Sequence, residues 1–208
     1  MLMHYTCIKY EYIMAWEFYG KTWTESKMLL PFKQLPLLIV NDKYQIPQSN
    51  SILRYLEKIT GLAHENAELA ALSDSIIEGA HELFSPLNPT INFAIESDFV
   101  EKKENMRPIL KSRADDFNKL LSKYPGPFFF EDGPRGCDFA VFHHISLIQI
   151  LEPNFLADYN KLAEFVEAIE NLPGVSEYLK KRPKLTKVGK SPTLVINGKQ
   201  HPTGLFQT

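Results

Sequence analysis

The sequence predicts a two-domain chain: a short mixed α/β unit over residues 1–62, an all-helical bundle over 63–183, and a polar tail, 184–208, that can form a short hairpin. Three observations predict this. Two β-favouring runs flank an Asn-Asp link early in the chain and lead straight into a helix with a capping signal. From residue 64 to the tail, apolar residues recur at intervals of three and four, the helical period. The segment 139–151 is apolar on nearly every side, as a helix at the centre of a bundle must be.

The first element is a hairpin, Leu37-Leu38-Ile39-Val40 and Lys43-Tyr44-Gln45-Ile46 around the two-residue link Asn41-Asp42. A helix follows at once, because Ile52, Leu53, Tyr55, Leu56 and Ile59 share helical spacing, with Ser49 as its N-cap and Gly61 as its stop. Leu69, Leu72, Ile76, Ala80, Leu83 and Leu87 then form the stripe of one long helix that ends near Pro86 and Pro89 and carries Asp74, Glu78 and His81 on its polar face. A further amphipathic helix spans 98–124, bent or delayed by Pro108 and ended by Pro125-Gly126-Pro127. Asp138 opens the apolar segment, where a negative charge favours the helix dipole. Leu162, Phe165, Val166 and Ile169 mark one more helix, and Pro173-Gly174 sets off a short last one over 175–181. In the tail, Thr193-Leu194-Val195-Ile196-Asn197 repeats the pattern of an apolar run entering an Asn-led turn.

Composition narrows the function classes. The 208 residues carry a formal charge of −2, which offers no broad attraction for nucleic acid or an anionic membrane surface. No apolar run reaches the roughly 18–20 residues needed to span a bilayer. Two cysteines, Cys7 and Cys137, with no Cys-x-x-Cys pair, argue against a disulfide framework, a zinc site or a dithiol centre. His143 and His144 are adjacent, so they point to different sides of a helix and cannot form an i, i+4 metal pair; no metal is expected. Met1-Leu2-Met3-His4-Tyr5 shows no basic and apolar leader pattern, and the reading is a cytoplasmic protein.

Pro31-Phe32-Lys33-Gln34-Leu35-Pro36, followed by Gln48-Ser49-Asn50-Ser51-Ile52-Leu53-Arg54-Tyr55-Leu56, resembles the cytosolic glutathione S-transferases, most of all their sigma class. Trp23 and Lys27 stand eight and four residues before Pro31, in register with the Trp and Lys of that class. The similarity runs on through Asp74, Phe130, Asp138-Phe139 and Leu172-Pro173-Gly174-Val175 to Arg182-Pro183. The resemblance implies a thioredoxin-like N-terminal domain, an all-α C-terminal domain, a homodimer, and glutathione as co-substrate beside a small electrophilic or lipid-like partner.

By the same resemblance, Pro36 is preceded by a cis peptide bond that turns Leu35 toward the cysteinyl group of glutathione, for a strand-like exchange of N–H and C=O bonds. Gln34 belongs to this element. Ser49 and Gln48 would receive the γ-glutamyl carboxylate at a helix N-terminus, although the pair taken alone is an ordinary cap. Trp23 and Lys27 would hold the glycyl end. Asp74 and Glu78 would reach the partner subunit's glutathione, Glu78 standing where the family has Asp.

Two departures stand out. The family opens with a strand ending in a tyrosine whose hydroxyl stabilises the glutathione thiolate; here Cys7-Ile8-Lys9-Tyr10-Glu11-Tyr12 aligns with the approach to the second strand, and Tyr5 falls in the first helix. The chain thus reads as N-terminally truncated, with no residue assigned to catalysis and with the run 193–196 as the one candidate to repair the sheet edge. A free thiol is only about 3% thiolate at neutral pH, so loss of such a donor slows conjugation by about a hundredfold. Arg135 replaces the Ser or Thr that caps the helix of Asp138. Three functions compete: a transferase acting on electrophiles, with related isomerase or peroxidase chemistry; a non-catalytic structural or regulatory protein of the same fold; and a thiol redox protein using Cys7.

Overall fold

A computed structural model describes residues 1–203. The N-terminal third holds three short helices, α1 (Leu2–Tyr5), α2 (Ala15–Tyr19) and α3 (Trp23–Lys27), then the antiparallel hairpin β1 (Leu37–Val40) and β2 (Tyr44–Pro47), then α4 (Ser49–Thr60). The hairpin lies where the alternation predicts it, but its link is three residues long. Val40 pairs with Tyr44, Asn41 and Asp42 both take positive φ, and the Lys43 N–H donates to the Val40 carbonyl. Asn and Asp tolerate that conformation better than other residues with side chains, so they are the ones at the tip. Residues 7–14 pair with no strand, and β1 and β2 form a two-stranded sheet by themselves.

The helical part comprises α5 (Ala67–His81), α6 (Phe84–Asn92), α7 (Glu96–Leu121), α8 (Gly136–Leu151), α9 (Asn160–Glu170) and α10 (Val175–Lys181). The single long helix expected over 69–87 is two helices, broken at Glu82 and Leu83. The second does not stop at the prolines: Pro86 sits in its first turn, where a missing N–H is harmless, and Pro89 lies inside it. Ile76, Ile77, Ala80, Leu83 and Leu87 are buried as the stripe requires, whereas Leu69 and Leu72 are 40% and 38% exposed and face outward. α8 is the central helix; Phe139, Val141, Phe142, Ile145 and Ile148 are buried among α5, α6 and α9.

The loss of a capping hydroxyl at Arg135 is only half a loss. The Asp138 carboxylate still accepts the Arg135 backbone N–H at 2.8 Å and, in addition, the Phe129 N–H at 3.1 Å. The Arg135 guanidinium turns away to donate to the Leu62 carbonyl at 2.8 Å and to pair with Asp132. Gly174 caps α10 at φ +74°, and a Cβ there would stand 2.5 Å from the His4 carbonyl oxygen, so glycine lets α1 seat against α10.

The tail folds into its own antiparallel sheet, β3 (Lys184–Thr186), β4 (Thr193–Ile196) and β5 (Lys199–Pro202), in that order. Asn197 and Gly198, both at positive φ, make the expected Asn-led turn between β4 and β5. These strands do not repair the β1–β2 edge, since the two sheets are separate. They are pinned instead to the α6–α7 corner, where the Thr203 hydroxyl donates to the Asn92 carbonyl at 2.6 Å and the Glu96 N–H donates to the Gly189 carbonyl at 2.8 Å. No helix among the described residues is long and apolar enough to cross a membrane.

Candidate functional site

The hairpin register builds the site. Leu37 pairs with Pro47, so the segment entering β1 and the segment leaving β2 lie side by side at the open end of the hairpin. That places Gln34, Leu35 and Pro36 next to Gln48 and Ser49. The Leu35–Pro36 peptide bond is cis. Leu35 is 51% exposed and lies outside the ladder, with its backbone edge open to an extended peptide. The turn before it, Pro31–Lys33, holds Phe32 and Lys33 at positive φ, and Phe32 stands out into solvent.

The other side of the site is the start of α4. Ser49 is its first helical residue and Gln48 its N-cap, one position earlier than the capping pattern predicts. Gln48 sits at φ 70°, ψ 121°, a costly conformation for a residue with a side chain. No side chain caps this terminus, and no acidic residue occupies the first turn. The leading N–H groups and the dipole of a twelve-residue helix therefore point at open space beside the exposed Ser49 hydroxyl, a receptor for a carboxylate.

Trp23 and Lys27 are the two ends of α3, one turn apart and on one face; the indole is half-buried and the ammonium exposed. Thr22 fixes this short helix through a reciprocal capping box with Glu25. Asp74 and Glu78 lie one turn apart on α5 and are held by a residue that spacing alone does not single out. Arg54 of α4 donates through Nε to Asp74 at 2.7 Å and through Nη2 to Glu78 at 2.5 Å, and the Asn50 amide approaches Glu78 at 3.5 Å. Arg54 thereby anchors the helix that bears Ser49 to the second domain. Its sequence signal is a cation one turn after Asn50 and one turn before Lys58 on α4.

Tyr5 is a helix residue, as aligned, and its ring packs 5.8 Å from that of Phe139 in the core. Tyr10 lies further on, its hydroxyl 3.0 Å from His4 Nε2. Cys7 is exposed; Cys137 is buried, and desolvation and the adjacent Asp138 push its thiol well up, away from thiolate chemistry.

Known proteins share the fold and much of the sequence. A family model described as the glutathione S-transferase C-terminal domain matches residues 86–182. Glutathione S-transferase 4 of Caenorhabditis elegans is 31% identical, over 77% of this chain and 79% of its own length. The solved Pi-class glutathione S-transferase of Onchocerca volvulus superposes with a TM-score of 0.73 at 26% identity, over 86% of this chain and 84% of that one. A monomeric glutathione S-transferase of Necator americanus shares the fold with a TM-score of 0.77 at 22% identity, over 89% and 90%. The chain belongs to the glutathione S-transferase family.

Proposed function

We propose that this protein binds reduced glutathione at the open end of the β1–β2 hairpin and transfers its thiolate to a small electrophilic or lipid-like partner. One observation carries the reading: the exposed Leu35 edge and the uncapped N-terminus of α4 sit side by side. Leu35 exchanges backbone hydrogen bonds with the cysteinyl residue, Pro36 fixes that turn, and Gln34 and Gln48 flank it. Ser49 and the α4 amides take the γ-glutamyl carboxylate, while Trp23 and Lys27 take the glycyl end. A Ser49→Ala variant loses a hydroxyl bond to a charged group, so its glutathione affinity, read by calorimetry, should fall about tenfold or more. Unchanged affinity would remove Ser49 from the site.

The residue that holds the sulfur is unassigned, and the packing of Tyr5 against Phe139 favours a second reading, a protein of this fold that binds glutathione without turning it over. Retention on immobilised glutathione together with conjugation of a chloronitrobenzene above the uncatalysed rate supports the transferase. Retention without conjugation supports the second reading, and failure of both removes the ligand.

The domain limits 1–62 and 63–183, a cytoplasmic location and a homodimer belong to this proposal. The outward Leu69 and Leu72 of α5 and the exposed Phe32 supply apolar surface for a second copy, across which Asp74 and Glu78 would reach the partner's ligand. Sedimentation should give a dimer; a monomer would restrict both carboxylates to their contacts with Arg54. The sigma-class likeness of Pro31 to Pro36 stands beside relatives named for the Mu and Pi classes.

A further inference from the structure

The formal charge of −2 conceals a segregation. Residues 178–208 hold seven of the 23 basic residues and none of the 25 acidic ones, so this end of the chain carries +7 and the remainder −9. Lys180 and Lys181 close α10, Lys184 opens β3, Lys187 and Lys190 lie in the connection to β4, and Lys199 opens β5. All six lysines are exposed, and Arg182 among them is half-buried. None of the seven is in an ion pair among the described residues. The dipole at the end of α10 accounts for Lys180 and Lys181, but not for the cations that follow.

The fold gathers these charges. Lys184, Val195 and Gln200 stand opposite one another on β3, β4 and β5, so their side chains share one side of the sheet. Lys187 joins that side, its Nζ donating to Gln200 Oε1 at 3.1 Å. The Lys190 N–H donates to the Lys187 carbonyl at 3.1 Å, which keeps the third lysine next to the second. The bonds of Thr203 and Gly189 to the α6–α7 corner hold the sheet against the helical body, so the three charges stand on a fixed support. Like charges brought together repel one another and cost stability until an anionic surface lies against them.

We propose that this end of the protein docks on an anionic lipid surface, with Lys184, Lys187 and Lys190 against the headgroups. Charge complementarity carries the inference: residues 180–190 hold six cations, within the about four to eight that draw a protein to acidic lipids. The remainder, at −9, is repelled by the same surface, so the molecule is held with its tail sheet toward the bilayer. Composition separates this partner from others. Six of the seven cations are lysine, which is depleted at protein interfaces and lacks the planar fork that reads single carboxylates or phosphates. Point charges on flexible stems suit headgroups that move laterally. No Trp, Tyr or Phe occurs over 180–203 to stack on nucleic-acid bases.

The test uses the full chain without glutathione, which makes it independent of the tripeptide reading. At roughly 0.1 M salt the protein should sediment with phosphatidylcholine vesicles containing phosphatidylserine and stay in solution with phosphatidylcholine alone, and roughly 0.5 M salt should release it. Each lysine within a Debye length of the surface strengthens binding about fivefold, so the triple variant Lys184→Gln, Lys187→Gln, Lys190→Gln should bind about a hundredfold more weakly. The triple variant Lys111→Gln, Lys119→Gln, Lys123→Gln removes the same net charge from exposed lysines elsewhere and should match wild type. A cooperative thermal melt reports an intact fold in both. No sedimentation with the acidic vesicles, equal sedimentation with neutral ones, equal losses in the two variants, or tighter binding to a duplex DNA oligonucleotide at the same salt would overturn the proposal.

Discussion

Gly136→Ala should destabilise the protein by about 2–4 kcal/mol in urea unfolding, far beyond the usual cost of an added methyl group. At this position a Cβ would stand 2.3 Å from the Glu57 carboxyl carbon and 2.6 Å from each of its oxygens. Glu57, only 6% exposed, reaches from α4 to the first turn of α8 and accepts the Gly136 N–H at 2.7 Å. Burial raises its carboxyl above the usual range, and that N–H, then the Arg135 charge, pulls it back. The contact joins the two domains with Arg135 and the Leu62 carbonyl beside it. An alanine would evict the carboxylate from the partner that compensates its burial. Because Glu57 is the group displaced, Glu57→Ala should absorb most of the damage: the double variant should lose clearly less than the sum of the two single losses. Strict additivity would mean that the two residues do not meet.

The second large effect is on acid stability. His144 is 6% exposed, its Nδ1 has no hydrogen-bond partner among the described residues, and burial first, then His143 and His81, push it down to about 3. A histidine depressed in the folded state contributes stability that is complete above the unfolded value of about 6.5 and is lost as pH falls toward the folded one. For His144 that loss approaches roughly 4–5 kcal/mol by pH 3. Asp138 acts with the opposite sign. Desolvation raises it to about 6, against the hydrogen bonds from Arg135 and Phe129, so its contribution is present below the unfolded value of 3.8 and fades as pH rises through 6. Wild type should therefore lose stability toward acid, the lowered His143 acting in the same sense as His144 and Asp138 opposing both. His144→Leu removes one of them. The variant should gain about 1–2 kcal/mol at pH 7 from the deleted unpaired nitrogen, and its urea midpoint should fall less from pH 7 to pH 4 than that of wild type. An acid limb identical to wild type would show that His144 does not govern it.

Local chemistry made much of this fold legible. The hairpin, the Gly61 stop, the central apolar helix and the Asn197-Gly198 turn all depend on neighbours in sequence, and each lies where its residues put it. What periodicity could not resolve was decided by packing. The stripe over 69–87 is continuous at helical spacing, yet the chain breaks at Glu82 and Leu83, and Leu69 and Leu72 turn outward. The proposed glutathione site was legible because Pro36 and Gln48 are joined by a short hairpin, so sequence proximity becomes spatial proximity. The Glu57–Gly136 contact joins residues 79 positions apart and consists of a missing Cβ. Likewise, Arg54 becomes informative only when α5 brings Asp74 and Glu78 to it.

A peptide that meets Leu35 places its carboxylate at Ser49, and a crystal grown with reduced glutathione tests both contacts at once. It should show the cysteinyl backbone paired antiparallel with Leu35 and the γ-glutamyl carboxylate against the Ser49 hydroxyl and the first α4 amides. A crystal with the hairpin end and the start of α4 free of ligand at saturating glutathione, or with the tripeptide lodged elsewhere, would contradict it.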